Sequence, residues 1–163
     1  MKIRKAELRD LPALLEIYNF EVKNGMATFD VNERTLEERE KWFYAHNRDN
    51  HPLIVAEIDG RAVAYASLST YREKEAYRST VELSVYVAPG FRCQGIAEAL
   101  MRELIDLARA DGVTHTIVSV ITSTNTASLR LHEKLGFEHC GVINEVGVKF
   151  GKFMSICNMQ LIL

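Results

Sequence analysis

The stretch from Val81 to Leu107, VELSVYVAPGFRCQGIAEALMRELIDL, constrains the fold more than any other part of the chain. Val81 to Val87 is rich in β-branched and aromatic residues and reads as a strand. Pro89-Gly90 ends it, because Pro offers no ladder donor and Gly accepts turn geometry. A loop follows, Gly90-Phe91-Arg92-Cys93-Gln94-Gly95. Apolar residues at 97, 100, 101, 104, 107 and 108 then take the spacing of one buried helix face. A strand feeding a helix through a glycine loop presents unpartnered N–H groups and the positive end of a helix dipole, which together make an anion site. Arg92 adds a full positive charge there. The same residues also suit a plain turn with one basic side chain, and the loop alone does not choose between the two.

The flanking sequence supplies strands and helices around this unit. Lys2 to Ala6 is a short strand. Asp10 as N-cap and Pro12 in the first turn start a helix with Leu11, Leu14, Leu15 and Tyr18 on one face, stopped at Asn24-Gly25. Met26 to Asn32 is an irregular link, and Thr35 with Glu38 forms a capping-box pattern for a second helix. Leu53 to Ile58 and Ala62 to Ser69, joined by Asp59-Gly60, read as a hairpin, and Tyr71 to Arg78 as a polar loop. Beyond the central helix, Thr116 to Thr122 is a β-branched strand. Thr124-Asn125 caps a short helix with Leu131 and Leu135 inward. Phe137 to Asn144 and Phe153 to Leu161 are two last strands, with a turn expected over Gly147 to Gly151.

The order β-α-α-β-β-β-α-β-α-β-β shows no linker, repeat or low-complexity segment. It predicts one α/β (α+β) domain over residues 1–163. With 47% apolar residues the chain can bury a sizeable core. A net charge of -2 gives no general attraction to nucleic acid or anionic lipid. Cys93, Cys140 and Cys157 are odd in number and lack metal spacing, and the histidines show no paired ligand spacing. The N-terminus MKIRKAELRD has no apolar signal core, and no run of about 18 apolar residues occurs. These features predict a cytoplasmic protein with reduced thiols, no metal, no membrane span and no nucleic-acid partner.

Arg92-x-x-Gly95-x-Ala97 is not a Walker loop, since no Gly-Lys-Ser/Thr follows, and it lacks the three glycines of a dinucleotide fingerprint. An Arg-x-x-Gly-x-Gly/Ala loop after a strand, then Asn125-x-x-Ser128 and Glu133-Lys134-Leu135-Gly136-Phe137, resembles the GNAT superfamily of N-acetyltransferases. ATFD at 27–30, LEER at 36–39, VAYASLS at 63–69, TVELSVYV at 80–87, SLRLHEKLGF at 128–137 and GVKFGKF at 147–153 are similar to its phosphinothricin and methionine sulfoximine acetyltransferase branch. The resemblance covers nearly the whole chain. It implies a mixed, mostly antiparallel sheet of about seven strands flanked by about four helices, with acetyl-CoA as co-substrate and a homodimeric assembly.

On a strand, Glu82, Ser84 and Tyr86 share one face while Leu83, Val85 and Val87 share the other. Glu82 thus suits either a solvated polar face or a base that takes the proton of an attacking ammonium. The resemblance places the branch's base there. It makes His132 the second catalytic candidate, as thiolate acid or substrate-orienting group, against a packed histidine bonded to a carbonyl. It assigns Val85, Tyr86 and Val87 to the pantetheine, pairing like an added strand, with an N–H near Val87 polarising the thioester carbonyl. Arg92, Cys93, Gln94, Gly95, Ile96, Ala97 and Glu98 then hold the pyrophosphate. Asn125 and Ser128 cap a helix well and by resemblance also touch the cofactor. Thr28, Phe29, Tyr71, Arg72, Glu73, Tyr77 and Glu82 are the expected acceptor-pocket residues, with the Arg72 fork suited to a carboxylate.

The loop departs from the branch's usual Arg-Gly-Lys-Gly-x-Gly. Cys93 stands for a glycine and is strained if that position has positive φ, and Gln94 stands for a lysine, removing one phosphate-side charge. Near a helix N-terminus Cys93 is either a small filler or a thiol of lowered pKa. Ser155 stands where relatives often carry Asp. The predicted activity is acetyl transfer to the amine of a small amino-acid-like acceptor by direct attack in a ternary complex. Two alternatives stand beside it: acetylation of a protein or peptide, and a non-catalytic acyl-CoA-binding module on the same fold.

Overall fold

A computed structural model describes residues 1–163 and joins every strand into one seven-stranded sheet. The elements are β1 (Lys2–Lys5), α1 (Leu11–Asn24), α2 (Leu36–Tyr44), β2 (Leu53–Ile58), β3 (Arg61–Thr70), β4 (Thr80–Val87), α3 (Ile96–Ala110), β5 (Thr116–Thr122), α4 (Thr126–Lys134), β6 (Glu138–Lys149) and β7 (Lys152–Ile162). The spatial order is β1-β2-β3-β4-β5-β7-β6. Every neighbouring pair is antiparallel except β4 and β5. The expected mixed sheet with four helices is what the chain forms.

The period-2 alternation of β3 divides the core. Ala64, Ala66 and Leu68 pack with Leu100, Met101 and Leu104 of α3, while Tyr65 packs with Leu14 and Ile17 of α1 and Phe43 of α2. Helices therefore cover both sheet faces, and the amphipathic stripe of each is what drives it there. The buried face of α3 runs Ile96, Leu100, Met101, Leu104, Ile105 and Ala108. Leu107 lies at the edge of that arc and is exposed.

Three local expectations change. Asp10 does not cap α1 with its side chain. It takes a bidentate pair from Arg4 at 2.7 and 2.8 Å and the Glu7 N–H at 2.8 Å, in a short 3-10 turn ahead of the helix. A charge-assisted fork outcompetes a neutral cap. Gly25 ends α1 with extended backbone, and its reason is space: a Cβ there would run into the Glu21 carboxylate. The last turn is not Gly147 to Gly151. β6 continues to Lys149, and Phe150-Gly151 alone reverse the chain, with φ of 53° and 69°. Two residues of positive φ match the twist of flanking strands, so the hairpin needs no longer loop.

The pairing of β4 with β5 is short. Thr80, Val81 and Glu82 face Thr116, Ile117 and Val118, and beyond Glu82 the two strands part. This opening in the sheet positions the site.

Candidate active site

The main chain of β4 sets up the opening. The Ala88 N–H donates to the Val63 carbonyl at 2.9 Å. In an antiparallel ladder hydrogen-bonded and non-bonded pairs alternate. With Tyr86 opposite Tyr65, Ser84 opposite Ser67 and Glu82 opposite Ser69, those three residues direct their main-chain groups to β3. Val85 and Val87 direct theirs the other way, toward the space β5 has left. Val85 and Val87 thus offer strand-edge groups to an extended amide ligand, the Val87 carbonyl already accepting from Arg92 Nε, while Tyr86 contributes its side chain.

The loop beyond β4 forms the second part. Gly95 is the N-cap of α3 at φ 77°, and no side chain caps the helix. The first intrahelical bond is Ala99 N–H to the Gly95 carbonyl at 3.0 Å, so the Ile96, Ala97 and Glu98 N–H groups have no helical partner. Arg92 pairs with the buried Glu21 carboxylate of α1 and donates from Nε to the Val87 carbonyl at 3.3 Å. Cys93 sits at φ 59°, the strained position anticipated for a residue standing in for glycine. A cavity of about 620 Å³ runs along this edge. It gathers every predicted cofactor residue except Gln94, whose side chain folds back to the Gly90 carbonyl at 3.3 Å. Three free amides beside an arginine, continuous with a free strand edge, form a donor set suited to a pyrophosphate attached to an amide-bearing chain.

A second cavity, about 270 Å³, shares Val85, Tyr86, Ala27, Asn125 and Ser128 with the first and holds Glu82, His132, Thr28 and Phe29. Glu82 projects from the face shared with Ser84 and Tyr86 and pairs with no protein cation. Burial alone pushes its pKa above the usual carboxylate range. His132 is 2% exposed. Its Nδ1 lies 2.8 Å from the Ser128 carbonyl, which only accepts, so Nδ1 carries the proton. Burial lowers the ring's pKa and keeps it neutral. Nε2 then accepts the Ser119 hydroxyl at 2.9 Å and has no proton to give. Asn125 Oδ1 accepts the Ser128 N–H at 3.2 Å, the capping role expected of it.

The link between α1 and α2 forms one wall. Lys149 is buried and donates to the Thr28 carbonyl at 2.8 Å and the Glu21 carbonyl at 3.2 Å. The Cδ2–Cε2 edge of the Phe29 ring lies against Gly147, where a Cβ would stand 2.7 Å from it. Thr28 Oγ1 is 3.0 Å from the Tyr18 hydroxyl. The polar loop follows the end of β3 that pairs with Val81 and Glu82, and it does not wall this cavity. Tyr71 and Tyr77 meet edge to face at 5.6 Å with the Arg72 guanidinium over both rings, and none of Tyr71, Arg72, Glu73 and Tyr77 lines the cavity of Glu82. Sequence reasoning missed Ser119 and Glu21. Ser119 looked like one polar residue in a β-branched run, and Glu21 like one helix-surface carboxylate. Only the tertiary fold brings them to His132 and Arg92.

A free strand edge, a glycine-capped helix N-terminus and an unpaired carboxylate in one opening define an acyl-CoA-type site on a mixed sheet. The chain belongs to the acetyltransferase (GNAT) family, whose model matches residues 12–137. It is 42% identical over 160 residues to the L-methionine sulfoximine/L-methionine sulfone acetyltransferase of Pseudomonas paraeruginosa, covering 98% of this chain and 92% of the relative. Among solved structures it superimposes on the ribosomal-protein-alanine N-acetyltransferase of Brucella melitensis with a TM-score of 0.96 and 44% identity, over 100% of both chains. It also superimposes on the GNAT phosphinothricin acetyltransferase of Sinorhizobium meliloti in complex with acetyl-CoA, with a TM-score of 0.96 and 34% identity. That match covers 99% of this chain and 88% of the other.

Proposed function

We propose that this protein is an acetyl-CoA-dependent N-acetyltransferase of small amino-acid-like amines, of the methionine sulfoximine, methionine sulfone or phosphinothricin type. The observation that carries this reading is Glu82: a carboxylate of raised pKa, free of any cation, beside the strand edge of Val85 and Val87. Acetyl-CoA supplies a thioester acetyl group when bound. Val85 and Val87 would hold its amides, and the free N–H groups of Ile96, Ala97 and Glu98 with Arg92 would hold its pyrophosphate. Glu82, directly or through one water, takes the proton of the acceptor ammonium, and its raised pKa suits it to that exchange. The Val87 N–H would be the donor available to the thioester oxygen, a kind of contact worth roughly 3 kcal/mol of barrier in comparable sites. His132, as a neutral acceptor, takes the hydrogen bond of the Ser119 hydroxyl at Nε2, and both residues wall the cavity of Glu82. Positioning of the two substrates supplies most of the remaining acceleration.

The name of the Brucella melitensis structure supports the second reading, acetylation of a peptide α-amine. Free-thiol release from acetyl-CoA, measured with methionine sulfone, methionine sulfoximine, phosphinothricin and an alanine-terminated peptide, separates the readings. Turnover with the amino acids is expected. Turnover with the peptide alone selects the second reading, and tight coenzyme A binding without any turnover selects a non-catalytic binding module. A homodimer belongs to the proposal. Its support is the apolar surface of β6 and β7, where Val142, Val146, Val148 and Phe153 are all more than half exposed. So does a cytoplasmic location, supported by three free cysteines and no helix long and apolar enough to cross a membrane.

A further inference from the structure

Arg39, on the inner face of α2, is 6% exposed and has no carboxylate within ion-pair distance. Its Nη2 donates to the Tyr65 hydroxyl at 2.6 Å, and its Nε is the only buried side-chain nitrogen or oxygen of the protein without a hydrogen-bond partner. Lys149, the other buried cation, is satisfied by two carbonyls. What holds Arg39 is aromatic: its guanidinium lies 3.4 Å from the Trp42 ring centroid and 4.5 Å from that of Tyr18.

Arg39 is among the residues that wall a cavity of about 440 Å³ between α2 and the sheet. This cavity reaches Ser84 and Tyr86, which also wall the cavity of Glu82 and His132. Two carboxylates, Asp30 and Glu38, wall the same cavity together with Arg34 and Lys41, and both are engaged by other groups. Asp30 accepts Arg34 at 2.8 and 3.0 Å as well as the Tyr18 hydroxyl. Glu38 accepts the Thr35 N–H at 2.8 Å. A buried, rigidly stacked fork with unused donors and no internal counter-charge is a preorganised receptor for an anion.

We propose that Arg39 binds an anionic or strongly polar oxygen group of the acceptor and thereby selects oxygen-rich amino acids over plain amines. This rests on the reading of the chain as an amino-acid acetyltransferase. The group is either the α-carboxylate or the oxygens on the side-chain sulfur or phosphorus. Both present the same acceptor chemistry to a guanidinium.

The test uses the full chain and compares kcat/KM for methionine sulfone, its α-amide and methionine in the wild type, Arg39→Lys and Arg39→Met. The wild type is expected to favour methionine sulfone by about tenfold or more over the analogue lacking the group that Arg39 holds, the size expected of one charged hydrogen-bonded contact. In Arg39→Met that single preference collapses toward unity, the other comparison stays within about twofold, and Arg39→Lys recovers part of it. Loss against the α-amide identifies the carboxylate, and loss against methionine identifies the sulfone oxygens. A proportional fall for all three substrates in a folded Arg39→Met overturns the proposal and leaves Arg39 a structural cation. Equilibrium binding of methionine sulfone to wild type and Arg39→Met keeps the two readings apart. Arg39-dependent binding without acetylation removes the enzyme and keeps the site, and binding equal in both proteins removes the site.

Discussion

Cys93 carries a side chain at φ 59°, in the left-handed region that disfavours any Cβ. It is exposed, so nothing packs against it in return. Replacing it by Gly is expected to stabilise the fold by about 1 kcal/mol, the strain less the extra freedom of Gly in the unfolded chain. A denaturant midpoint that does not rise would show the loop to be relaxed with Cys. Glu82 makes the opposite kind of contribution. Its pKa is raised in the fold, so the folded state favours the protonated form. The resulting penalty is absent below the ordinary carboxylate range, grows as pH rises toward the folded value, and is complete above it. Glu82→Gln is therefore expected to melt higher than wild type at pH 8 and to match it below the ordinary carboxylate range. A gain at acid pH as well would show a packing effect rather than a charge effect. Strain at Cys93 was legible in the sequence, because the departure falls at a glycine of a known loop. The tautomer of His132 was not, since it depends on a carbonyl one turn back and a serine on another element.

The opening between β4 and β5 follows from a parallel register only three residues long. Strand, loop and helix were legible from periodicity and from Pro89-Gly90. Which of Val85, Tyr86 and Val87 offers its main chain was not, because that is decided by the pairing of β4 with β3. The acceptor wall depends on another long-range contact, the edge of the Phe29 ring lying against Gly147. A Cβ at 147 would stand 2.7 Å from that ring and push the α1–α2 link out of place. Gly147→Ala is expected to raise KM for the acceptor several-fold, order-of-magnitude at most, while coenzyme A affinity stays unchanged, since that chamber lies on the other side of Val85. Steady-state kinetics and a coenzyme A titration check the split. Equal losses in both would mean that Gly147 supports the whole sheet. Gly147 looked like part of a turn in the sequence because β-bulges near Ile143 let β6 run longer than its apolar pattern suggests.

At the scale of the whole molecule, helices cover both faces of the sheet, and the β6–β7 edge leaves apolar side chains in water. If a second copy covers that edge, Val148→Glu combined with Phe153→Glu is expected to yield monomers by sedimentation. An unchanged sedimentation coefficient at every concentration would remove the dimer. The cores, the two helical layers and the glycine loop all serve to hold one carboxylate beside one free strand edge, and that is the claim to test. The direct measurement is kcat against pH at saturating acetyl-CoA and methionine sulfone, in wild type and Glu82→Gln. The wild type is expected to rise along a limb set by Glu82 ionisation and then level. Glu82→Gln is expected to lose about 10²-fold in rate and to climb only at the higher pH where the amine sheds its proton unaided. An unchanged rate with an unchanged profile would contradict the account.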